Sequence, residues 1–202
     1  MAAKLKTFDQ LFKFYQDYVK LLYSTVQADG ILPTEILFEL NAALDHISRH
    51  WAYGESEEEV VDKAYGHFKR CCLDVFKIKA RDVGDQFAEL RRLDTSIIDN
   101  GEFDGRMLAL YNKIKTGAAQ ARRDEGRPSS GPAARDAAFE LWEPVFKDCV
   151  SFEKDFYFHH SVSWAKKRMA FYRRREFWIT GVTAAVIGGL LVEILRWLIS
   201  VH

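Results

Sequence analysis

The stretch Phe177-Trp178-Ile179-Thr180-Gly181-Val182-Thr183-Ala184-Ala185-Val186-Ile187-Gly188-Gly189-Leu190-Leu191-Val192-Glu193-Ile194-Leu195-Arg196-Trp197-Leu198-Ile199-Ser200-Val201 holds two charges in 25 residues. A hydrocarbon core about 30 Å thick is crossed by about 20 helical residues. Leu, Ile, Val and Phe each favour insertion by roughly 0.3 to 0.6 kcal/mol, and together they outweigh Glu193 and Arg196 near the distal end. Trp178 and Trp197 are separated by roughly 28 Å at about 1.5 Å per residue, the spacing of two interfacial aromatic belts. The run therefore reads as a single transmembrane helix over 177–201.

Six basic residues precede it: Lys166, Lys167, Arg168, Arg173, Arg174 and Arg175; only His202 follows. The positive-inside rule then places everything before residue 177 in the cytosol. The expectation is a tail-anchored protein of a cell inner membrane, with its N-terminus cytoplasmic. The same six side chains attract anionic lipid headgroups, each contributing about 1 kcal/mol near the surface. A membrane at hand competes with nucleic acid for them, so nucleic acid is not the expected partner.

Within the span, Gly181, Ala184, Ala185, Gly188 and Gly189 recur at intervals of three and four. At 100° per residue they share one face, and small faces let helices approach closely in lipid. They are the candidate oligomer interface. Glu193 and Arg196 lie toward one side of it, and intramembrane charges pair with each other, meet a partner or line a water path.

Outward from the span, the 202 residues contain 48% apolar side chains and 15 Phe, enough for a packed core. Lys+Arg and Asp+Glu both number 29, so no global charge selects a partner. Cys71, Cys72 and Cys149 are too few and too irregular for a disulfide framework and fit a reducing compartment. The opening residues lack the apolar region of a signal peptide.

Helical periods dominate the remainder. Thr7 and Gln10 have capping-box spacing before a stripe of Phe8, Leu11, Phe12, Tyr15, Tyr18, Val19, Leu22 and Val26, which ends at Asp29-Gly30. Pro33 opens a second helix with Ile36, Leu40, Ala43, Leu44, Ile47 and Trp51, broken by Gly54. Ser56, with Glu59 at the box position, caps a long third helix whose stripe runs from Val61 to Leu90, with a bend expected near Gly84. A fourth covers about 105–121 and buries Met107, Leu108, Leu110, Tyr111 and Ile114.

Residues 122–132, rich in Gly, Pro and Ser, read as a linker. A fifth helix starts near Pro132 and is interrupted or kinked at Pro144, and from Val145 the pattern continues without a break into the span. No segment alternates with period two. The chain is expected to be all-α: a cytosolic bundle over 1–121, a linker over 122–132, a long helix with a basic juxtamembrane segment over 133–176, and the span.

His46 and His50, like His67 and Cys71, are four apart on helices, so each pair shares a face, and imidazole with thiolate suits zinc. Counting outward from the turn, however, puts His67 nearer the level of His46 than of His50 and leaves Cys71 still further away, so the four do not converge easily. No metal and no cofactor is expected. His159-His160, among Phe152, Phe156, Tyr157, Phe158 and Trp164, reads as packing. Phosphate loops, nucleophile elbows and zinc-protease motifs are missing, so no enzyme is expected.

The helices around Asn41-Ala42-Ala43-Leu44-Asp45-His46 and Ala64-Tyr65-Gly66-His67-Phe68-Lys69-Arg70 resemble HEPN-type helical bundles over about sixty residues. These bundles recur in bacterial conflict and antiphage systems. Active members carry Arg and, four to six residues on, His; within the helices that carry the likeness no Arg has His at that distance, so ribonuclease activity does not carry over. The resemblance implies a helical sensor on a membrane segment, an effector against the cell's own membrane. Two functions stand: an effector that oligomerises and perturbs the bilayer, and an adaptor whose anchored bundle holds a cytosolic protein partner.

Overall fold

The computed structural model describes residues 5–28, 33–95, 98–125 and 132–200. It is all-α, with no strand among them. Helix α1 (Phe8–Phe14) continues through a π-turn (Tyr15–Val19) into α2 (Lys20–Ala28). Then come α3 (Thr34–Tyr53), α4 (Glu57–Leu90), a 3-10 turn (Asp99–Gly101), α5 (Glu102–Glu125) and α6 (Pro132–Phe152). A second π-turn (Glu153–Tyr157) precedes α7 (His160–Ser200).

The helix ends follow local chemistry. Thr7 accepts from the Gln10 N–H, and the Glu57 carboxylate accepts from the Phe8 N–H at 2.7 Å, so α4 helps to cap α1. Ser56 accepts from the Glu59 N–H, with Glu57, Glu58 and Glu59 on the positive end of the α4 dipole. Gly54 takes φ +73°, which closes α3 and turns the chain back onto α4.

Helix α4 is the axis of the bundle. It buries Val61, Ala64, Phe68, Cys72, Val75, Phe76, Val83 and Leu90 along its length, and it passes Gly84 without interruption. On it pack α1–α2, α3 and α6, with α5 against α6. One core cluster runs from Leu11 to Val162 and includes Trp142, Cys149, Phe152 and Phe156. The segment after residue 132 is therefore not a separate arm: as far as Val162 it belongs to the same core. Against Gly117 of α5, an added Cβ would meet Val145 Cγ2 at 3.0 Å, which shows how closely α5 and α6 approach.

Several boundaries differ from expectation. The fourth helix is longer at both ends, and the expected linker loses its first four residues to it. Glu125 explains this: it accepts from Lys77 Nζ at 2.7 Å and from Trp142 Nε1 at 3.3 Å, tying the end of α5 to α4 and α6. Residues 126–131 of that linker lie outside the described residues. Pro144 does not stop α6, since Trp142 and Val145 on either side are held in the core. The expected continuous helix from Val145 is instead interrupted. Phe158 N–H donates to the Glu153 carbonyl at 2.8 Å, five residues back, and the chain breaks at Phe158-His159 before α7.

Some stripe residues face outward. Phe12, Leu44, Trp51 and Leu108 are exposed, while Lys79, a charged residue outside any expected stripe, is buried.

Candidate functional site

Helix α7 begins in the bundle and leaves it. Val162 and Ala165 are buried, and every described side chain from Ala170 to Val192 is exposed. The exposed stretch is long and apolar enough to cross a membrane, and none of it is covered by the bundle. Its two threonines are satisfied internally: Thr180 Oγ1 donates to the Glu176 carbonyl at 2.8 Å and Thr183 Oγ1 to the Ile179 carbonyl at 2.7 Å. Hydroxyls bonded to the preceding turn carry no orphan donor into hydrocarbon.

The small residues Gly181, Ala184, Ala185, Gly188 and Gly189 all lie on this exposed stretch. A Cβ added at Gly181, Gly188 or Gly189 would meet nothing within 4 Å, so the face is open in the single chain. Arg196 is exposed as well, and the side chains of Glu193 and Trp197 lie outside the described residues.

The six basic residues divide by height and by partner. Arg173, Arg174 and Arg175 stand within about 6 Å of Phe177 along the axis. Lys166, Lys167 and Arg168 stand about 14 to 16 Å from it. Lys166 turns back to the bundle: its Nζ lies 2.7 Å from Glu89 Oε1 and 5.0 Å from the Tyr157 ring centre. Tyr157 donates its hydroxyl to Glu89 Oε2 at 2.8 Å. Hydrogen bonds from Lys166 and Tyr157 hold the Glu89 carboxyl below its ordinary range. Lys166 is thus a docking residue, which the six-residue headgroup set did not separate from the rest. Arg168 lies over the Trp164 and Tyr172 rings at 5.2 and 5.5 Å.

The histidine and cysteine pairs part company. His46 and His67 stack with ring centres 5.1 Å apart, as the turn count implies. His67 Nδ1 lies 2.7 Å from Glu39 Oε2, which also accepts from Arg70 Nε at 2.8 Å. His50 Nδ1 instead contacts the Glu55 carbonyl at 2.7 Å. Burial lowers the His46 pKa, with His67 adding repulsion. Cys71 is buried, and desolvation with nearby Asp74 and Glu39 pushes its thiol up to about 12. A thiol held so high offers no ready thiolate to a metal or an electrophile. Among the described residues, no three His, Cys, Asp or Glu side chains form a group suited to a metal ion. His159 packs on Phe103 at 5.8 Å and lies against His160 with the rings tilted at 37°.

Sequence reasoning missed the pair Lys79–Glu153. Lys79 Nζ lies 3.1 Å from Glu153 Oε1, and Gln86 Nε2 donates to the same oxygen at 3.0 Å. The available signal was the gap in the α4 stripe: Lys79 stands four residues from both Val75 and Val83.

Fold and site together define a class: a helical bundle carrying a candidate membrane-spanning helix. Comparison with known protein families, curated proteins and solved structures finds no match to the chain in any of the three.

Proposed function

We propose that this chain is a tail-anchored effector of a bacterial inner membrane, with a cytoplasmic bundle that governs the state of its span. The spans assemble through Gly181, Ala184, Ala185, Gly188 and Gly189, and the assembly perturbs the bilayer. Glu193 and Arg196 pair between copies near the far leaflet. Antiphage defence is the setting that the HEPN-like resemblance implies.

One observation carries the reading: the small-residue face is uncovered in the single chain, on a helix continuous with one docked in the bundle. Without a hydrophobic force between helices in lipid, such a face gains by close backbone packing against another helix. Arg173, Arg174 and Arg175 set the height of the span against anionic headgroups.

The test is the mass of the full chain in mild detergents, with membrane potential followed on overproduction. An oligomer that Gly188→Leu or Gly189→Leu weakens, and Leu191→Ala does not, is expected. Glu193→Ala then reduces depolarisation at least tenfold without preventing insertion. A strictly monomeric mass insensitive to these changes ends the effector reading and leaves the adaptor, whose bundle holds a protein partner at the membrane.

A further inference from the structure

Before it enters the apolar run, α7 carries a repeat on a face that the bundle leaves open. Trp164, Phe171 and Trp178 recur every seventh residue, and Arg168 and Arg175 fall between them at steps of four and three. At 100° per residue the five share one face, and the buried Val162 and Ala165 lie about 130° round the helix from it. All five side chains are exposed. Tyr172 flanks the stripe and holds its cations: Arg168 donates to the Tyr172 hydroxyl at 3.4 Å, and Arg175 lies 5.9 Å from the ring centre. The stripe holds no acid. From Phe158 to Val192 the sequence has one carboxylate, Glu176, which falls on the docked side of the helix. Asp99, which lines a small cleft with Trp164, is paired with Arg106 at 2.6 Å.

We infer that this stripe rests on an anionic lipid surface, so that α7 crosses the bilayer leaning toward its Trp164–Phe171–Trp178 face. The inference rests on the reading of the run after Phe177 as a span, and it adds the direction of tilt and a lipid contact above the span. Continuity and charge name the occupant. Trp178 opens the apolar run, so the stripe passes directly into an interfacial belt, and aromatic side chains interleaved with Arg settle at the headgroup level.

Height sets the lean. In an upright helix Phe171 and Arg168 stand about 9 and 14 Å above Phe177, beyond a headgroup layer about 5 to 7 Å deep. A lean of about 30°, within the range of spans, turns the stripe downward; Phe171 then enters the layer and Arg168 comes to about 8 Å, a Debye length from the lipid charge. The same lean shortens the 25-residue run from about 37 to about 32 Å, close to the hydrocarbon thickness. A second copy is a poor occupant. Chains anchored by the same tail lie parallel, so pairing here sets Arg168 on Arg168 and Arg175 on Arg175, like charge on like. The small-residue face of the span is centred about 90° away, and assembly through it leaves the stripe free.

Nitroxide labels on the full chain in vesicles test the lean. Cys71, Cys72 and Cys149 are buried, so an added surface thiol takes the label. Ala170 and Phe171 are both exposed and differ by about 1.5 Å in axial height, but lie about 100° apart around the helix. In phosphatidylglycerol–phosphatidylethanolamine vesicles, the label at Phe171→Cys is expected to meet a water-soluble nickel chelate at least fivefold less than the label at Ala170→Cys, while staying open to oxygen. In phosphatidylcholine alone, or with Arg168→Glu/Arg175→Glu, that contrast falls below twofold while a label at Val186→Cys stays shielded from nickel. Equal nickel access at 170 and 171, a contrast undiminished in phosphatidylcholine, or shielding of 171 from oxygen as well, which marks a second copy, overturns the inference and leaves the span standing. Nickel access at 186 removes the span and the inference together.

Discussion

Lys79 shows what one charge in a core does. Its side chain is 5% exposed and that of Glu153 is 12% exposed, so both have left bulk water. Lys79 pairs with Glu153, and the Glu153 carboxylate accepts from both Lys79 and Gln86. Removing one member of a buried pair costs about 3 to 5 kcal/mol, while replacing both by apolar groups is often close to neutral. Glu153→Ala is therefore expected to lower stability by about 3 kcal/mol in denaturant unfolding. Lys79→Met/Glu153→Leu is expected to recover most of that loss, and a double variant as weak as the single one would contradict the account. The buried thiols act differently: Cys149, pushed up to about 12 by burial and nearby Glu153, fills space as a small apolar group.

At the scale of elements, α7 meets the bundle through the break at Phe158-His159 and through Glu89. The Glu89–Lys166 pair is 45% and 39% exposed, so solvent screens it and its contribution is about 0.5 kcal/mol. A carboxyl with a depressed pKa in the folded state contributes above its unfolded pKa, and the contribution is lost as pH falls through the folded value. The docked first turn of α7 is thus expected to loosen below about pH 4, the ordinary carboxylate range. Glu89→Gln is expected to lower stability at pH 7 by less than 1 kcal/mol and to flatten that acid limb. A loss at pH 7 as large as that of Glu153→Ala would show that exposure is not what separates the two pairs. The fall in stability with pH also has a histidine share: His46, with its lowered pKa, opposes folding as pH drops below about 6.5.

At the scale of the whole molecule, an antiparallel bundle around α4 feeds one 41-residue helix, α7, whose first turns are docked and whose side chains from Ala170 to Val192 are exposed. A reporter at the N-terminus is expected in the cytosol, and full-length chain in the detergent-extracted fraction. Neutralising Arg173, Arg174 and Arg175 together is expected to cut correct insertion severalfold, measured by protease protection of the N-terminal reporter. An exported reporter would reverse the topology, and chain that stays soluble without detergent would remove the span.

Patterns with a local physical cause were legible in the residues themselves: the caps at Thr7 and Ser56, the stop at Gly54, the long stripe from Val61 to Leu90, and the apolar run after Phe177. Helical period, capping and hydropathy are properties of adjacent residues, so they need no partner. The level of His67 with His46 also followed, because a short turn fixes register between consecutive helices. Tertiary structure alone decided which of two apolar faces a helix buries. Leu44 and Trp51 carry the same pattern as Ile36 and Ala43, and only the position of α4 sends one line inward and leaves the other out. It likewise decided that α5 runs on to Glu125, that Lys79 finds Glu153 74 residues away, and that Lys166 pairs with Glu89. Those outcomes rest on contacts between residues distant in sequence, and such contacts exist only once the helices have packed.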